Sequence, residues 1–200
     1  MTLFSALLDT CVLVPATLAD TLLRVAEGGL YRPLWSTAIL DEMTRVIDEV
    51  HPDLPAGRAQ RRAQAMDAAF VDASVSGWEG LVPAICLPDP CDRHVVAAAV
   101  VGRADVIITS NLKDFPTDSL APYGIEAQNP DVFLLHQLAL APSRVMQALQ
   151  HQTRAMRRPP AELDEVLARL SRCGVPSFAE AARAQKWRLE SSEHAGTSRI

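Results

Sequence analysis

The sequence predicts an α/β protein: a three-layer α/β/α fold around a central parallel sheet of about four to five strands, followed by a C-terminal helical extension. Two observations predict the sheet. Short apolar runs, residues 3–14 and 105–109 above all, alternate with stretches of helical periodicity. Strands separated by helices pair in parallel, because each parallel connection must cross a face of the sheet. A third observation predicts the extension: after residue 130 only helical patterns remain.

Residues 3–14 are apolar except for Ser5, Asp9 and Thr10, as a strand buried on both faces requires, and Pro15 ends the run. The first twenty residues have the hydropathy of a secretory leader but lack a basic start and carry Asp9 in the apolar stretch, so they read as a first strand. A helix follows over 18–26, stopped by Gly28 and Gly29, and 31–35 reads as a second strand. Ser36 or Thr37 caps the next helix, which places Leu40, Met43, Ile47 and Val50 at helical spacing before His51 and Pro52. An Ala-rich helix with Arg58, Arg61 and Arg62 at its start covers 58–71. Residues 85–87 are expected as a short strand, 92–101 as a helix, 105–109 as a buried strand, with Gly102 parting the last two, and 125–128 as an edge strand. Helices over 130–140, 142–156, 160–170 and 177–186 complete the chain, with prolines near their starts, where a missing N–H costs nothing. The expected organisation is therefore a first domain over 1–140, a helical extension over 141–189 and a polar, disordered tail over 190–200.

Composition narrows the function. At 200 residues, with 48% hydrophobic and 22% charged residues, the chain has the make-up of a globular protein with one ordinary domain and an appendage. No window is apolar enough for a membrane span, so no membrane partner is expected. The four cysteines form no CxxC pair, which favours a reduced, cytoplasmic protein; Cys86, Cys91 and His94 lack the second ligand pair of a structural zinc site. A net charge of −5 argues against a protein that coats nucleic acid, yet it leaves room for a nuclease whose carboxylates await a cation.

The acidic residues fall where an open parallel sheet keeps its functional groups, beyond the carboxyl ends of strands. Asp9 interrupts an apolar run, where an unpartnered carboxylate is costly; alternatively the strand stops at Leu8 and Asp9 caps a turn. On a helical wheel of roughly 100° per residue, Glu42 lies about 40° beyond Val46 at the edge of the apolar arc, whereas Asp41 points to solvent. In the run Asp89-Pro90-Cys91-Asp92, Asp89 reads as the cap and Asp92 as the freer carboxylate. Asp114 follows the 105–109 strand in the segment TSNLKDF, where its simpler role is that of a turn residue. Arg93 and Lys113 stand beside these acids as weak RNA-binding candidates, and Arg154, Arg157 and Arg158 form a second basic cluster.

Taken in order, LLDT, ILDE, DPCDRHVVAAA and DVIITSNLKDF resemble the PIN-domain family, specifically its VapC-type toxins, over residues 3–135. The resemblance implies a PIN-like fold and a metal-dependent endoribonuclease that hydrolyses RNA phosphodiester bonds, the toxin of a type II toxin-antitoxin pair. Asp9, Glu42, Asp92 and Asp114 would be its catalytic and metal-binding quartet, with Asp114 the least regular member, and Thr109, Ser110 and Asn111 would support phosphate or a water. Clustered carboxylates raise one another's pKa until a cation intervenes, and Mg2+ or Mn2+ suits oxygen ligands. The implied partners are RNA and a cognate antitoxin protein, with a homodimer open. Alternatives are a PIN-like RNA- or protein-binding module without catalysis and a housekeeping RNA-processing nuclease. A phosphatase of the haloacid-dehalogenase type would need a second Asp where this chain has Cys11, and a receiver domain would need acids ahead of its reactive Asp.

Overall fold

The computed structural model describes residues 4–156 and 161–189. Its elements run β1 (Ser5–Leu8), α1 (Thr10–Leu13), α2 (Ala16–Glu27), β2 (Arg32–Ser36), α3 (Thr37–Val50), α4 (Arg58–Ala69) and β3 (Ser74–Val75). After these come α5 (Arg93–Gly102), β4 (Val106–Ile108), α6 (Thr117–Leu120), β5 (Glu126–Gln128), α7 (Pro130–Leu140), α8 (Pro142–Ala155), α9 (Leu163–Arg172) and α10 (Pro176–Arg183). The expected tail over 190–200, with Arg157 and Arg158 of the second basic cluster, lies outside the described residues. Among the described residues no helix is long and apolar enough to cross a membrane.

The chain divides into two compact units. The first holds residues 4–14 and 31–129, and the second holds 15–30 together with 130–156 and 161–189. The division thus falls after Asn129, ahead of the boundary expected at 140, and α2 joins the later helices although it lies between two strands of the first unit.

In the first unit five parallel strands stand in the order β3-β2-β1-β4-β5. β1 is central, with Leu7 beside Leu34 on one side and Ile107 on the other, and all four of its residues are buried. This is the environment that an unalternated apolar run demands. The connection through α3 and α4 and the return through α5 proceed in opposite directions across the sheet. Right-handed crossovers place them on opposite faces, giving the α/β/α layering.

Two expectations are corrected. The first strand does not continue to residue 14, because the Asp9 carboxylate accepts from the Thr10 N–H and turns the chain into α1. Residues 85–87 form no strand: Ile85 and Leu87 are buried and Cys86 is exposed, so the burial alternates, but Pro83 and Pro88 flank the run and no ladder forms. The strand beside β2 is instead Ser74–Val75, too short to leave a pattern. Gly102 also has a different role from the expected separator. It is the last residue of α5, and the left-handed turn falls on Arg103. A Cβ on Gly102 would stand 2.7 Å from Val75 Cγ2 and 3.2 Å from Leu34 Cδ1, so glycine lets α5 lie close against β2 and β3.

In the second unit α2 packs on α8 and α9, and α10 on α7 and α9. The buried Thr21 hydroxyl donates to Gln152 Oε1 at 2.7 Å, while Gln152 Nε2 donates to the Thr17 carbonyl at 2.9 Å. A pair of buried polar groups so matched fixes the register of α2 on α8. The first turn of α10, whose own preceding residue Val175 has no capping side chain, is capped from α7: Asp131 accepts from the Ser177 and Phe178 N–H groups at 3.1 and 2.7 Å.

Candidate active site

β1 and β4 are neighbours, but the chain leaves them toward opposite edges of the sheet, which opens a crevice at their carboxyl ends. Asp9 stands directly after β1 and Thr109 directly after β4. Asp9 is only 7% exposed and Thr109 is fully buried. The Asp9 charge is compensated by donors: Thr10 N–H to Oδ1 at 2.7 Å, and to Oδ2 the Thr109 hydroxyl at 2.7 Å and the Cys11 thiol at 3.1 Å. Of the two sequence readings the structure shows the second: the strand stops at Leu8 and Asp9 caps the turn that follows, buried at the crevice.

Glu42 projects from the second turn of α3, half-buried as the wheel requires, while Asp41 is exposed. The Thr10 hydroxyl donates to Glu42 Oε2 at 2.8 Å, and His94 Nε2 stands 3.9 Å from the same oxygen. Asp92 starts α5 but makes no capping bond with its side chain. Asp89 takes that role one turn earlier by accepting from the Cys91 N–H at 2.8 Å. The Asp92 pKa is pushed up to about 6, first by burial and then by the negative charges of Asp9, Asp89, Asp114 and Glu42. The four acids singled out in the sequence thus share one electrostatic field.

Asp114 closes a short 3-10 turn (Leu112–Asp114) and accepts from the Asn111 side-chain amide. Asn111 N–H in turn donates to Thr109 Oγ1 at 3.0 Å. Thr109 and Asn111 accordingly each hold a carboxylate, and Ser110 between them is exposed, its N–H directed to Cys11 Sγ at 3.2 Å. Of the basic candidates, Lys113 is exposed in the same turn and Arg93 is half-buried at the start of α5.

Three neighbours were not singled out as site residues in the sequence. Thr10 and Cys11 follow Asp9 directly, yet their partners Glu42, Thr109 and Ser110 are distant in the chain. Burial, followed by the Asp9 charge, pushes the Cys11 thiol up to about 12, so it serves as a neutral donor and not as a thiolate. His94 packs its ring 6.0 Å from that of Trp78, and burial lowers its pKa against the opposing pull of Glu42 and Asp9. Among the described residues no three His, Cys, Asp or Glu side chains close into a ready-made metal cage. The set on offer is nonetheless all carboxylate, hard oxygen donors whose mutual repulsion is registered at Asp92, and that chemistry fits a hard divalent cation.

Comparison with known proteins agrees with this fold. Residues 5–113, more than half of the chain, match the PIN domain family, and the chain belongs to that family. Residues 130–184 match a second family, described as the VapC50 C-terminal domain. A relative named "Putative ribonuclease VapC50", from Mycobacterium tuberculosis (strain ATCC 25618 / H37Rv), is 47% identical over 92 residues, covering 46% of this chain and 54% of the relative. The chain thus spans about half the length of the curated relative it matches. No solved structure matches it.

Proposed function

We propose that the chain is a Mg2+- or Mn2+-dependent endoribonuclease, the toxin of a type II toxin-antitoxin pair, with RNA as substrate and a cognate antitoxin protein as partner. The observation that carries the reading is the raised pKa of Asp92 at the switch-point crevice, caused after burial by four other carboxylates. The name of the M. tuberculosis relative supports ribonuclease chemistry, and the matched C-terminal family supports kinship with the longer VapC-type proteins.

Asp9 and Asp92 are the principal ligands in this reading. Thr10, Cys11 and Thr109 fix the Asp9 carboxylate, and Asp92 is free of any capping bond. Glu42, tied to Thr10, and Asp114, tied to Asn111, complete or orient the shell. A bound cation would supply Lewis acidity toward a phosphodiester and the positive charge that the carboxylates lack. Arg93 and Lys113 flank these acids in sequence and grip RNA phosphate, while Ser110 supports phosphate or a water at the crevice. The cytoplasm is the compartment assigned, and homodimerisation is a further property to measure.

The test is cleavage of RNA by the purified chain with magnesium or manganese. Asp9→Asn and Asp92→Asn should each abolish cleavage with the fold intact, and EDTA should stop the wild type. Full activity in chelator, or unchanged cleavage by both variants, overturns the reading. Growth arrest on expression without a partner supports the toxin assignment, and harmless expression of active enzyme favours a housekeeping nuclease. The separation of the acids and the three donors already on Asp9 favour a second reading, a binding module without catalysis. That reading requires that neither ion raise the melting temperature.

A further inference from the structure

Two consecutive amides of the loop after β4 are relayed onto a single oxygen of Asp9. Asn111 N–H donates to Thr109 Oγ1 at 3.0 Å, and the Thr109 hydroxyl spends its one proton on Asp9 Oδ2 at 2.7 Å. In parallel, Ser110 N–H donates to Cys11 Sγ at 3.2 Å, and the Cys11 thiol stands 3.1 Å from the same Asp9 Oδ2. Sγ and Thr109 Oγ1 lie 3.3 Å apart, so the two relays run side by side. Each passes from a backbone N–H through a group that both accepts and donates, and such chains strengthen each link by polarisation.

We infer that Cys11 is a positioning residue of the acidic crevice, its thiol joining the loop after β1 to the loop after β4 and setting the orientation of the Asp9 carboxylate. The thiol is suited to this because it accepts the Ser110 amide and donates to Asp9 at once, as the Thr109 hydroxyl does beside it. The consequence for Asp9 is countable. Two donors occupy Oδ2 and one, Thr10 N–H, occupies Oδ1, so with about two acceptor sites on each oxygen the remaining one lies on Oδ1. Without the thiol the carboxylate loses a partner on the side facing β4 and regains torsional freedom, and the Ser110 amide loses its acceptor.

This inference rests on the metal-dependent reading for its effect on cation binding, but not for its effect on the loop. Three variants test it: Cys11→Ser, which keeps both hydrogen-bonding capacities, and Cys11→Ala and Cys11→Val, which remove them. Manganese affinity, read by paramagnetic relaxation without RNA, should fall about 10-fold or more in the Ala and Val variants and stay within about 3-fold in the Ser variant, the range for groups that orient ligands. Amide hydrogen exchange should accelerate at Ser110 in the Ala and Val variants and be restored by Ser, with Leu7 and Ile107 in the sheet unchanged. Wild-type affinity and unchanged Ser110 protection in both Ala and Val overturn the proposal, as does a Ser variant no better than Val. If wild-type protein neither binds manganese nor cleaves RNA, the ribonuclease reading fails, and the Ser110 exchange rates alone decide the role of Cys11. Two apolar variants are included because either could fail to fold on packing grounds.

Discussion

Asp92 holds a proton more tightly in the folded protein than in the unfolded chain, since its pKa rises from the ordinary 3.8 to about 6. The sign of the linkage follows. Above about pH 6 the ionised side chain costs stability, and the cost is relieved as the pH falls from 6 toward 3.8. Asp92→Asn should therefore be more stable than wild type in chelator at pH 7.5, by about 1 kcal/mol once solvent screening at this partly exposed group is allowed for, or about 2–4 °C in melting temperature. The advantage should shrink at pH 5, and differential scanning calorimetry at the two values checks it. Asp9 stood out in the sequence because a carboxylate in an apolar run needs an explanation, and Asp92 because Asp89 takes the cap of its turn. Glu42 was legible too, since one wheel separates it from Asp41. Thr10 and Cys11 were not: their roles are hydrogen bonds to Glu42, Thr109 and Ser110, and the nearest of these lies 32 positions away.

Among the elements, the long ones were legible and the short ones were not. α3 and α7 begin and end where cap and proline signals place them, because a helix carries its boundaries in its own residues. A two-residue strand such as β3 carries none, since its ladder partner Trp35–Ser36 decides it. Residues 85–87 err in the other direction, with alternating burial but no ladder. The close approach of α5 to the sheet gives a test at this scale. Gly102→Ala puts a methyl against the buried side chain of Val75 and should destabilise the protein by about 1–3 kcal/mol, read by urea denaturation. Val75→Ala in the same chain should recover part of the loss, and additive losses would show that the clash is not the cause.

At the scale of the molecule, the sequence showed an α/β domain with helices appended but could not show that α2 belongs with the appended part. Its apolar face, Leu18, Leu22 and Val25, is what any surface helix of a sheet protein displays, and the partner that distinguishes it, Gln152, is far along the chain. A chain cut after Leu140 loses α8 and α9, the helices on which α2 packs, and should expose that face. Increased binding of a hydrophobic dye and a lower melting temperature than the full chain are expected, and an unchanged melt would show that α2 finds its cover elsewhere. The same feature matters while the protein is being made. Thr21 leaves the ribosome 131 residues ahead of the glutamine that receives its hydroxyl. At about 5–20 residues per second that interval is roughly 7–26 s. Over that time the nascent chain carries an apolar helix without its partner, a window in which a chaperone can hold it and a neighbouring nascent chain can capture it.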